Sequence, residues 1–203
     1  MGQRSQIYIM WNVTDKGTPI HGLIARYYGW NYGERMISRA RAIIEEIRDE
    51  FMPYKFLFAD PNYVRKLERL CDVNFDMRDL QIGQDIIKEI KEDFPDHPEC
   101  LFEEDCNDGQ LFISVTDEGI KYGFMEYFDT DRVMDAEAYM KWDVEDPEAR
   151  PNWHVPDEFL SSREIKYTEK NIRKIRKMAK LMSIEEIHQF IDEALEYVKE
   201  NNA

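Results

Sequence analysis

The residues best suited to chemistry lie in 23–41, LIARYYGWNYGERMISRAR, where four arginines, four aromatics and two glycines share nineteen positions. Guanidinium groups grip anions through paired N–H donors, and aromatic faces stack on planar or cationic groups. Arg26, Arg35 and Arg39, together with Trp30, are therefore the ligand- or partner-binding candidates. Arg35 and Arg39 fall in the first turns of a predicted helix, where the macrodipole disfavours a cation by roughly a few tenths of a kcal/mol. An anion facing them would resolve that conflict, whether a phosphate, a ligand carboxylate or an internal carboxylate. The competing reading pairs Arg35 and Arg39 with Glu46 and other acids of the chain and places the aromatics in the core.

Other clusters carry less. Residues 168–182 hold Lys170, Arg173, Lys174, Arg176, Lys177 and Lys180 against Glu169 alone, a pattern that could meet nucleic acid. The following helix carries Glu185, Glu186, Asp192, Glu193, Glu196 and Glu200, so internal charge complementarity explains the same pattern without a ligand. His97, Cys100 and Cys106 have a zinc-like spacing, but only the distant Cys71 could complete a set of four. Acidic loops starting at Asp105 and Asp129 lack the glycine and glutamate that a calcium loop places sixth and twelfth. No nucleophile elbow, P-loop or dinucleotide fingerprint is present, and the four histidines are scattered. Neither a metal nor a cofactor is expected, and no residue stands out as catalytic.

These side chains need elements to position them. Ile7, Ile9, Trp11 and Val13 alternate with Gln6, Tyr8, Met10 and Asn12, which predicts a half-buried strand. Turn residues 14–17, with Pro19 prolonging the loop, lead to a returning strand over 21–28 and hence a hairpin. Asn31 and Glu34 read as a capping box for a helix whose apolar stripe is Met36, Ile37, Ala40, Ile43, Ile44, Ile47 and Phe51, ended by Pro53. Asp60-Pro61 opens a second helix, and Ile82, Ile86, Ile90 and Phe94 mark a third. Turn signals at 107–109 and 117–119 bracket a second hairpin, 110–116 with 120–128. Residues 135–144 read as a short capped helix after Asp135, despite a strand-like alternation. Thr168 and the Ser183/Glu186 capping box predict two C-terminal helices.

The expected fold class is α+β: an antiparallel sheet from two hairpins, helices on one face, and a C-terminal helical hairpin. The expected domains are an α+β core over 1–145, a proline-rich linker over 146–162, and the helical hairpin over 163–203. With 203 residues and 43% apolar composition the chain can bury a core unaided. Its three cysteines (Cys71, Cys100 and Cys106) are too few and too loosely spaced for a disulfide framework. No apolar run has membrane length, and no signal-peptide core begins the chain, so a cytoplasmic setting is expected. A formal net charge of −15 disfavours nucleic acid and anionic membranes and suits a basic protein partner.

The N-terminal GQRSQIYI together with LIARYYGWNYGERMISRAR resembles a family of uncharacterised bacterial proteins, mostly of Gram-positive and phage-associated origin. The resemblance covers residues 2–51 and fades beyond. It implies a bacterial cytoplasmic or phage-encoded setting and no particular activity. The expected function is a non-enzymatic binding or regulatory module that uses the arginine-aromatic corner or an acidic face. The alternatives are a small enzyme on a phosphate- or carboxylate-bearing substrate, and nucleic-acid binding through 168–182.

Overall fold

The computed structural model describes residues 4–29, 31, 33–74, 79–80, 82–102, 106–126, 132–145 and 162–202. The first hairpin pairs β1 (Ser5–Asp15) with β2 (Thr18–Tyr28) in continuous antiparallel register, Ser5 opposite Tyr28 and Asp15 opposite Thr18. Lys16 and Gly17 make its two-residue turn with φ of 49° and 85°. Positive φ at both central residues matches the strands' right-handed twist. Pro19 therefore sits inside the strand rather than in a longer loop. It lies toward the sheet's outer edge, where the missing N–H costs least.

Helix α1 (Gly33–Glu46) follows, and its chain continues through one π-helical turn, Ile47–Phe51. The predicted stripe is buried throughout, from Met36 to Phe51. A 3-10 turn, Lys55–Ala59, leads to α2 (Pro61–Asp72), with the Asp60 side chain accepting from the Asn62 backbone N–H at 2.9 Å. Two short strands, β3 (Val73–Asn74) and β4 (Asp79–Leu80), pair with one another. Next come β5 (Gln84–Asp85) and α3 (Ile86–Asp93). The third helix is shorter than its apolar period implied. Asp85 accepts a hydrogen bond from the Lys88 N–H and starts the helix there, while Ile82 and Phe94 are exposed.

The second hairpin joins β6 (Gln110–Thr116) to β7 (Gly119–Met125). Then come β8 (Val133–Met134) and α4 (Ala136–Glu145), the latter a helix as read from Asp135, whose carboxylate accepts from the N–H groups of Glu137 and Ala138. The chain closes with α5 (Ser162–Met178), β9 (Lys180–Leu181) and α6 (Ile184–Asn202). The Ser183/Glu186 capping box forms reciprocally at 2.8 and 3.2 Å. Most of the predicted linker, 146–161, lies outside the described residues.

The fold is α+β, with a seven-stranded, mostly antiparallel sheet in the order β5-β2-β1-β6-β7-β8 and β9 also on β7. The hairpins meet through the parallel pair β1·β6, Gln6 opposite Gln110. Helices cover both faces, a correction to the expected single layer. Ile7, Ile9, Leu111, Ile113 and Phe124 pack under α1, α4 and α5. On the reverse, Tyr8, Met10, Leu23, Phe112 and Met125 are covered by α3 and α6. Both faces of β1 are apolar enough to demand cover, since each large apolar side chain contributes about 1.5–3 kcal/mol when buried. The C-terminal helices do not stack as a hairpin: β9 carries the chain past the sheet edge and leaves α5 and α6 on opposite faces. Among the described residues no helix is long and apolar enough to cross a membrane.

Candidate functional site

The arginine corner is built where the end of β2, the start of α1 and the end of α2 converge. Arg39 is fully buried. Its Nε donates to the Cys71 carbonyl at 2.8 Å, and one terminal nitrogen donates to Asn31 Oδ1 at 2.5 Å. The other donates to the Asp72 carbonyl at 3.4 Å, and the guanidinium lies 5.0 Å from the Tyr28 ring centre. These carbonyls are the unsatisfied last acceptors of α2, where a cation is favoured. The partner is thus the α2 C-terminus rather than Glu46, which binds Lys66 at 2.6 Å. Asn31, read from the sequence as a helix cap, turns its amide inward. Besides Arg39 it serves Ser5 Oγ at 2.7 Å and Met36 Sδ at 3.2 Å.

Asp72 is the counter-charge. It accepts from Arg26 at 3.2 Å, from the Tyr28 hydroxyl at 3.3 Å and from the Gly83 N–H at 2.9 Å. Burial opposes the Arg26 charge, but Asp72, followed by Tyr28 and Asp85, outweighs it and leaves its pKa above the ordinary value. Burial, reinforced by Asp72, pushes the Cys71 thiol up to about 12. Tyr28 is likewise raised well above its ordinary value, chiefly by burial. Two of the candidate arginines therefore share one structural knot, in which Arg39 is sealed from solvent and Arg26 reaches its edge. Arg35 is partly buried and engaged in contacts of its own. Trp30 lies outside the described residues.

The charges of the C-terminal helices are distributed by their position on the sheet. On α5, Lys174 binds Glu45 of α1 at 2.7 Å, and Arg176 binds Asp135 and Glu137 at the start of α4. Arg173 binds Glu169 of its own helix at 3.7 Å. The acids of α6 lie across the sheet from these cations. A groove runs along α6 against the strands, in two lobes of about 160 and 300 Å³ that share Met10, Asn12 and Glu193. Glu186, Glu193, Glu196 and Glu200 line it. Glu186 is held by Lys121 at 2.5 Å and Glu193 by the Gln189 amide at 2.6 Å. Among the described residues Glu193, Glu196 and Glu200 form no ion pair.

Two features escaped the sequence reading. Asp72 occupies a helix C-terminus, where a carboxylate opposes the macrodipole, and that conflict with local preference was a legible sign of a special role. The sequence offers the α6 carboxylates as counter-charges for α5, because nothing local says that the two helices part around a sheet edge. Compared with known proteins, the chain matches no family model, no curated protein and no solved structure.

Proposed function

We propose that the chain is a non-enzymatic binding module whose groove along α6 receives a cationic segment of a partner protein. The observation that carries this reading is the row Glu193, Glu196 and Glu200, which forms no ion pair among the described residues and lies on the face of the sheet opposite α5. Among the described residues lining the groove, Lys121, already bound to Glu186, is the only lysine or arginine. A charge of −15 adds long-range attraction for a basic partner. In this reading the carboxylates stand in for nucleic-acid phosphates and occupy a basic protein, as an inhibitor or immunity protein would. A bacterial cytoplasmic or phage-encoded setting suits that role. Arg39 is committed to the fold, which weighs against its use by a ligand or a substrate at the arginine corner. Lys174 and Arg176 are committed to internal acids, which supports the protein partner over nucleic acid on α5.

The test is titration of the intact chain with a short lysine- and arginine-rich peptide. Binding is expected at low salt and lost near 1 M, where the Debye length falls to about 3 Å. The triple variant E193Q/E196Q/E200Q should lose it at least tenfold with an unchanged fold. Equal binding by that variant would remove the groove from consideration.

A further inference from the structure

On the other flank of Tyr197 from the α6 groove, a separate cleft of about 260 Å³ opens beside α3. Leu23, Ile24 and Ala25 of β2 form one side of it. β5 pairs with β2 only at Arg26 and Tyr27, so the outer edge of β2 before them has no described strand beside it. Tyr197 lines the cleft beside Leu23 at that edge. An uncovered strand edge presents a row of N–H and C=O groups, which is how extended peptides are recognised.

The rest of the wall is charged in both senses. Arg26, Lys88 and Lys91 contribute cations, and Glu68 and Asp85 contribute carboxylates. Among the described residues the buried Arg26 Nε has no acceptor, and Asp85 stands 4.0 Å from its nearest terminal nitrogen. Burial pushes the Glu68 carboxyl up, against the pull of Arg26, so an added ammonium group would favour its ionised form. A purely anionic ligand would meet Glu68 and Asp85, and a purely cationic one would meet Lys88, Lys91 and Arg26. The volume lies below the ~300–1,000 Å³ usual for larger ligands. We infer that this cleft binds a zwitterionic amino acid or dipeptide, with its carboxylate at Lys88 and Lys91, its ammonium at Glu68 and Asp85, and its backbone along the β2 edge.

The test follows backbone amide resonances of the intact chain during titration with the free amino acids and a set of unblocked dipeptides. N-acetylated, C-amidated dipeptides serve as controls. At least one zwitterion should shift amides of residues 23–26 and 84–91 at millimolar concentration, and its blocked counterpart should bind at least tenfold more weakly. K88E/K91E, two exposed changes, should weaken binding at least tenfold at an unchanged Tm, and Glu68→Gln should weaken it as well. The inference is overturned if no compound shifts these amides, if blocked dipeptides bind equally, or if K88E/K91E binds like the parent. Shifts confined to 193–200 would also overturn it, and would point to the α6 groove instead.

Discussion

Asp72 ties β2 to α2 and to the loop at Gly83 through three accepted hydrogen bonds. Removing it leaves Arg26 partly buried beside an empty place and strips the Tyr28 hydroxyl and the Gly83 N–H of their acceptor. Asp72→Ala should therefore cost about 3–5 kcal/mol by urea unfolding, the range for breaking a buried pair from one side. Arg39→Lys keeps the charge but cannot reach Cys71, Asn31 and Asp72 in three directions at once, and a loss of about 2 kcal/mol is expected. The same knot sets an alkaline limit. Cys71 has a folded pKa of about 12 against an ordinary 9.0, so its neutral form is favoured by folding. That contribution is complete below pH 9 and fades as pH rises toward 12. Stability measured by denaturant should fall across this window, with Tyr28 acting in the same direction. Iodoacetamide at pH 8 should label the partly exposed Cys100 and spare Cys71 until the chain unfolds. The sequence made Arg26 and Arg39 conspicuous, but their partners at the end of α2, Cys71 and Asp72, lie 32 to 46 positions away. No local pattern names such a partner.

Elements were most legible where a period and a terminator agree. The α1 stripe and Pro53, the second hairpin's turn and the Ser183/Glu186 box are short-range signals, and each formed where it was expected, whereas the first hairpin's turn is tighter than its residues implied and leaves Pro19 in the strand. Misreadings occurred where a single side chain overrides the period: Asp85 starts α3 one turn after Ile82. Asp135 has two roles, since it caps α4 and binds Arg176 of α5. Asp135→Ala should cost about 1–2 kcal/mol, more than Ser183→Ala at about 1, because a cap and an ion pair are lost together. Gly22 allows β2 to approach the Trp11 ring; a Cβ there would lie 2.0 Å from it. Gly22→Ala should cost about 1–3 kcal/mol through overpacking, with a shifted Trp11 fluorescence as the accompanying sign.

At the scale of the molecule, the C-terminal segment holds the sheet from both sides. Phe190 of α6 is buried against Phe112 of β6 with the rings edge to face, 5.3 Å between centres. Phe190→Ala should cost about 3–5 kcal/mol and move near- and far-UV transitions together, as expected when α6 belongs to one cooperative unit. A separable appendage would instead give a local transition and an unchanged main one. By itself the sequence determined the α+β class, the two hairpins, the periods of the long helices and the strongly acidic balance, because turn chemistry and side-chain periodicity act over a few residues. Only the tertiary structure decided that β1 and β6 run parallel at the centre, that α5 and α6 part around the edge of β7, and that Arg39 is sealed while Glu193, Glu196 and Glu200 face a groove. Those outcomes depend on which apolar faces bury one another across long stretches of chain. That competition is settled by the total surface removed from water, a property of the assembled fold.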